Sequence, residues 1–142
     1  MRILISACLL GVACRYDGGQ KACPAALKLG EKHQLTPVCP EQLGGLPTPR
    51  TPCERQGEKV VSAGGEDRTA AYLRGAKEAE GLLDILRCDC AVLKARSPMC
   101  GKDCIYDGSF SGCLTAGDGV LAERLKARGI PVYTEEEIEK ID

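Results

Sequence analysis

The chain has 142 residues, 44% of them hydrophobic, with 19 basic and 20 acidic side chains and a formal net charge of −1. That length suits one domain with its own core, and the composition excludes a disordered, collagenous or coiled-coil chain. Balanced charge excludes a global field that would draw in nucleic acid or anionic lipid.

Ten cysteines, against four tyrosines, one phenylalanine and no tryptophan, are the anomaly. Only three apolar residues separate Arg2 from Ser6, short of the roughly 7–15 of a secretory h-region. No stretch approaches the ~18 consecutive apolar residues of a membrane span. The expected location is the cytoplasm, where thiols point to metal or sulfur chemistry rather than to cross-links.

Ile3 to Ala7 reads as a buried strand, followed by a loop from Cys8 to Gly19 that closes on the turn signal Tyr16-Asp17-Gly18-Gly19. Pro24 suits a first helical position, so Ala25 to Lys32 reads as a short helix and Gln34 to Val38 as a second strand. From Cys39 to Gly65 prolines and glycines crowd together, which predicts a long loop of the kind that carries function. Asp67 is the expected N-cap of a helix running to Leu86, with Leu73, Ala76, Leu83 and Leu86 on its buried face. Ala91 to Ala95 reads as a third strand and Ser97 to Gly117 as a second Gly-rich loop. Val120 to Arg128 is a helix ended by Gly129, Ile130 to Tyr133 a strand, and Glu135 to Ile141 an acidic helix. Alternating strands and helices predict an α/β fold. Residues 1–142 are expected to form a single three-layer domain, a small parallel sheet flanked by helices in a Rossmann- or flavodoxin-like arrangement.

In open α/β sheets ligands collect outside the carboxyl ends of the strands. Cys8 and Cys39 follow the first two predicted strands and Cys100 lies five residues after the third, so three thiols are expected at one pole. Cys88 and Cys90 precede the third strand and fall at the opposite pole. Cys88-Asp89-Cys90 is too tight for the usual zinc spacing, and Cys100 to Cys104 fits it without a second pair. The single histidine, His33, reads as a surface side chain, which argues against Ser-His or Cys-His catalysis. Cys14-Arg-Tyr-Asp-Gly18 is echoed by Cys104-Ile-Tyr-Asp-Gly108. The echo marks either two turns of one type or two Tyr-Asp pairs lining a shared pocket. Composition and spacing thus reach a thiolate–metal site at the strand ends, with scattered buried cysteines acting as small hydrophobes as the competing reading.

Three segments go further. Ser6-Ala-Cys8-Leu-Leu-Gly11 with Arg15-Tyr-Asp-Gly18, then Pro37-Val-Cys39-Pro-Glu41 with Gly44-Gly-Leu-Pro47 and Pro49-Arg50, then Leu93-Lys94 with Ser97-Pro-Met-Cys-Gly101 and Ile105-Tyr-Asp-Gly108, resemble the small thiouracil desulfidase family. The resemblance spans essentially the whole chain. It implies a 4Fe–4S cluster on Cys8, Cys39 and Cys100 with one iron left open, and Glu41 and Ser97 as the catalytic side chains. It further implies hydrolytic, non-redox C–S cleavage of a thiolated pyrimidine. The near-zero charge of the loops at the three-thiol pole and their few aromatics, Tyr16, Tyr106 and Phe110, lead to the expectation of a small free substrate rather than nucleic acid, and the lack of a membrane span to that of no membrane partner. Met99 departs from the family pattern, which has Ser beside the third ligand, and so bears on substrate fit. Cys14, Cys23, Cys53, Cys88, Cys90, Cys104 and Cys113 are extra to the three-ligand pattern. Two competing readings of the same residues are a sulfur-delivery protein using the cluster and a metal-stabilised module without turnover.

Overall fold

The computed structural model describes residues 1–141. Four parallel strands, β1 (Arg2–Ser6), β2 (Gln34–Val38), β5 (Cys90–Leu93) and β8 (Val132–Thr134), form one sheet in the order β2-β1-β5-β8. Ile3 pairs with Leu35 on one side and Cys90 on the other, and Ala91 pairs with Val132. Counting only these four, the order is second, first, third, fourth, as at the start of a flavodoxin-like sheet, with the switch point between β1 and β5.

Strand side chains alternate between two cores, as a sheet covered on both faces requires. Leu4, Ala91, Leu93 and Val132 pack against α3 (Thr69–Ile85) and α4 (Val120–Ala127), through Tyr72, Ala76, Ala79, Leu83, Leu121 and Leu125. Ile3, Ile5 and Val92 pack on the other face against α1 (Pro24–Leu29), the 3-10 turn Ala7–Leu10 and Ile138 of a second 3-10 turn, Glu135–Lys140. The α/β expectation holds. Among the described residues no helix is long and apolar enough to cross a membrane.

Three expectations are corrected. Both long loops contain structure: α2 (Pro40–Leu43) and the hairpin β3 (Cys53–Gln56)–β4 (Lys59–Ser62) in the first, and the hairpin β6 (Cys104–Tyr106)–β7 (Leu114–Ala116) in the second. These strands are three or four residues long, and β7 is exposed throughout, so no period-two pattern marks them. The acidic C-terminal helix is a 3-10 turn capped by Thr134 and Glu137 in a reciprocal capping box. The buried face of α3 is partly rotated: Ala76 and Leu83 are buried as expected, but Leu73 and Leu86 are each 39% exposed, and Tyr72, Gly75 and Ala79 turn inward instead. Its N-cap is Arg68, and Asp67 instead accepts the Thr69 amide at 2.9 Å.

Gly75 explains the rotation. A Cβ there would lie 1.9 Å from the Pro40 carbonyl oxygen, and one on Gly44 would lie 2.1 Å from that of Ala71. Two glycines facing each other let α2 and α3 touch backbone to backbone, and this contact seats α2 at the end of β2.

Candidate active site

Each strand of the switch region delivers one cysteine. β1 runs into the 3-10 turn that bears Cys8. β2 ends at Val38, and Cys39 is the N-cap of α2, with Pro40 at the first helical position and Glu41 in the first turn. β5 ends at Leu93, and the loop beyond it carries Ser97 and Cys100. That loop is docked on α4, whose Val120 and Leu121 amides donate to the carbonyls of Pro98 and Met99 at 2.8 Å each.

A cavity of about 390 Å³ opens at these strand ends, lined by Cys8, Cys39, Cys100, Glu41 and Ser97 together. Cys14, Cys53, Arg50, Tyr72 and Lys94 line it as well, with Tyr16, Tyr106 and Phe110 at its partly exposed rim. Glu54 of β3 accepts the Gly108 and Phe110 amides at 3.0 and 3.1 Å, fixing the tip of the β6–β7 hairpin over the opening. Cys88 and Cys90 lie in the two cores near the amino end of β5, away from the cavity. His33 sits 3.0 Å from the Met1 amino group and takes no part. Met99 is fully buried in the core beneath α4 and does not line the cavity.

The echoed motif answers to the first of its readings and, for its tyrosines alone, to the second. Asp17 accepts the Gly19 amide and Asp107 the Ser109 amide, each at 2.9 Å, so the two aspartates build the same turn. Tyr16 and Tyr106 line the cavity and the aspartates do not.

Polar contacts order the site. Ser6 Oγ accepts the Lys94 amide at 2.9 Å and donates to Cys100 Sγ at 3.7 Å. Ser97 Oγ accepts the Cys100 amide at 2.7 Å, which leaves the Ser97 proton free to donate. Cys39 Sγ lies 3.6 Å from the Cys14 carbonyl. Arg50 Nη2 donates to that same carbonyl at 3.0 Å and to Glu41 Oε2 at 3.1 Å. Around the loop, Lys94 pairs with Glu135 at 2.8 Å, Arg96 with Glu136 at 2.6 Å and Lys102 with Glu137 at 2.9 Å. Arg50, Tyr72, Cys14 and Cys53 join the site beyond the predicted ligands and catalytic side chains. Arg50 belongs to the Pro49-Arg50 motif, whereas nothing about a helical tyrosine 31 residues from Glu41 marks it as a neighbour.

Burial disfavours the charged form of several of these thiols. Burial pushes Cys8 up to about 11, against the pull of Lys94 and Arg15. Burial, then Cys39 and Cys8, pushes Cys14 up to about 12. Burial, then Glu41, raises Cys100 well above the usual thiol range. Such thiols keep their protons until a cation takes the proton's place. Among the described residues no three His, Cys, Asp or Glu side chains converge tightly enough to share a single ion. The three cysteines instead stand around a cavity, and Arg50 Nε is a buried donor with no partner beside them. Soft thiolates spread around a volume with an orphan N–H donor nearby suit an iron–sulfur cluster.

Fold and site together define an α/β protein with a three-thiolate cavity at the switch point of its parallel sheet. Residues 3–137 match the 2-thiouracil desulfurase family, and the chain belongs to that family. It is similar to a solved structure described as a 4Fe–4S-dependent thiouracil desulfidase, TudS, at 43% identity and a TM-score of 0.91, covering 99% of this chain and 94% of that one. It is also 39% identical over 149 residues to YbbK of Bacillus subtilis (strain 168), described only as an uncharacterized protein, across 98% of this chain and 99% of the relative.

Proposed function

We propose that this protein is an iron–sulfur-dependent thiouracil desulfidase, acting as one domain over residues 1–142, with Cys8, Cys39 and Cys100 holding a 4Fe–4S cluster. The observation that carries the reading is the meeting of these three thiols with Glu41 and Ser97 on one cavity. When bound, the cluster supplies an iron without a protein ligand, a Lewis acid with affinity for a soft thiocarbonyl sulfur. Glu41 takes a proton from water, which attacks the ring carbon bearing sulfur. Ser97, its acceptor lone pair engaged by the Cys100 amide, donates its proton toward the ring. Overall, water and a thiocarbonyl give a carbonyl and hydrogen sulfide, with no net electron transfer.

Three observations support a free thiolated pyrimidine rather than thiolated RNA as substrate. The aromatic rim of Tyr16, Tyr106 and Phe110 suffices to sandwich one ring but not to line a channel. All four basic residues lining the cavity, Arg15, Arg50, Lys94 and Arg96, are already paired with carboxylates, so no basic track remains for phosphates. The cavity volume of about 390 Å³ is also that of a small-molecule site.

The test is anaerobic purification with iron and sulfide analysis, then incubation with 2-thiouracil, 4-thiouracil and thiouridine-containing tRNA at physiological salt. Uracil and sulfide should appear from a free base. Iron-loaded protein that leaves both bases intact defeats the activity, and faster release from tRNA defeats the small-substrate reading.

A further inference from the structure

Glu41 is held by one oxygen. Arg50 Nη2 and the Tyr72 hydroxyl both donate to Oε2, at 3.1 and 3.3 Å. Oε1 takes no hydrogen bond among the described residues. The one buried side-chain polar atom without a partner there is Arg50 Nε, so Oε1 is accessible, on a side chain that lines the cavity.

The two donors come from separate parts of the chain and are themselves immobilised. Arg50 lies in the Pro-rich segment between α2 and β3, with its side chain only 6% exposed. Its backbone amide donates to the Tyr16 carbonyl at 2.8 Å and its fork to the carbonyls of Pro47 and Cys14 and to Thr48 Oγ1. Tyr72 is anchored in the α3 core and almost fully buried. An arginine recruited only to neutralise a carboxylate commonly takes both oxygens in a two-pronged contact. Here a single N–H and a single O–H converge on the same oxygen, and the other is left bare.

We propose that Arg50 and Tyr72 are positioning residues for desulfuration: by occupying Oε2 they prevent the carboxylate from rotating and leave Oε1 as the one basic atom presented to water. The inference rests on Glu41 acting as the general base in the reading above. With both donors on Oε2, a proton taken from water stays on Oε1, on the cavity side, from which it can be returned. Freed of them, the carboxylate swings between orientations and spends its time away from the attacking geometry. A misplacement of about 1 Å at such a group costs on the order of 10²-fold in rate.

The experiment compares iron-loaded wild type, Tyr72→Phe and Arg50→Lys, each also in a Glu41→Gln background, with single-turnover sulfide release from thiouracil as the sensitive readout. Iron per chain, melting temperature, KM and kcat are measured for all. Tyr72→Phe and Arg50→Lys should keep wild-type iron and KM and lose about tenfold or more in kcat. In the Glu41→Gln background the same changes should cost less than about twofold, because groups acting through one carboxylate are non-additive. A purely structural role would give the same loss in both backgrounds, and that additivity overturns the proposal, as does wild-type kcat in both single variants. If Arg50→Lys fails to load iron, Tyr72→Phe, which removes one hydroxyl and preserves the ring, decides alone. A wild type without turnover sinks the activity itself, a result distinct from either.

Discussion

Replacing Gly75 with Ala tests how the Glu41-bearing helix is seated. The added Cβ would stand 1.9 Å from the Pro40 oxygen and 3.1 Å from the Gly44 amide nitrogen, about 1.5 Å inside the ordinary contact distance of 3.4 Å. The opposing atoms are backbone, so no rotamer relieves the clash and α2 must move off α3. Alanine favours the helix over glycine by about 0.5–1 kcal/mol, while overpacking costs about 1–3 kcal/mol. The net loss of about 1–2 kcal/mol lowers the melting temperature of a chain this long by only roughly 3–8 °C. Glu41 follows Pro40 directly, and an ångström-scale displacement of a positioned base costs on the order of 10²-fold in kcat. The expected signature is thus an enzyme that is mildly destabilised and severely slowed. Gly81→Ala on the same helix, where an added Cβ meets nothing within 4 Å, should keep full turnover and melt slightly higher. Calorimetry, iron analysis and sulfide release on the three proteins decide the matter. Wild-type turnover in Gly75→Ala would refute the idea that backbone contact sets the position of Glu41.

Cys8→Ser, Cys39→Ser and Cys100→Ser should each lose most iron on anaerobic reconstitution, whereas Cys88→Ser and Cys90→Ser, in the cores away from the cavity, should retain it; iron analysis reads the difference. Ser97→Ala removes the acceptor for the Cys100 amide and should lower both iron occupancy and turnover, while Ser97→Thr restores iron. Burial pushes the Glu137 carboxyl up, but hydrogen bonds from Lys102, the Thr134 amide and Lys140 outweigh it and hold it down at about 2, below its ordinary 4.5. In acid the unfolded chain takes that proton first, so the stabilisation is complete above pH 4.5 and is lost as pH falls toward 2. Thermal unfolding of the iron-free chain from pH 5 to pH 3 should therefore show a steeper fall for wild type than for Glu137→Gln; parallel curves would remove Glu137 from the acid response.

The parallel sheet was legible because β1, β2 and β5 are short apolar runs separated by helical or Gly-rich stretches, and burial on both faces leaves just that signature. The convergence of Cys8, Cys39 and Cys100 was legible for a related reason: chain order alone puts residues that follow parallel strands at one pole. The hairpins were not, since Cys53–Gln56 and Leu114–Ala116 are short and half-buried or exposed, and their pairing depends on partners that local pattern does not name. The face of α3 was legible only in part: Ala76 and Leu83 are buried as their spacing predicts, but Leu73 and Leu86 are partly exposed because the packing is decided by Gly75 against Pro40 and by Tyr72 reaching Glu41. Arg50 stood in a recognisable motif, yet its bond to Glu41 depends on how the Pro-rich segment folds back, which spacing along the chain does not reveal.

The ion-pair ladder from Lys94, Arg96 and Lys102 to Glu135, Glu136 and Glu137 has a consequence for biosynthesis. A ribosome adding about 5–20 residues per second takes roughly 3–12 s to pass from Cys39 to Cys100. For that interval the nascent chain offers two thiols of the site without the third. Even after Cys100 emerges, its loop lacks the acidic turn that fastens it until Glu137 has been made. The loop that carries Cys100 is thus fastened only after Glu137 has been made, and cluster insertion is expected to follow that step rather than precede it.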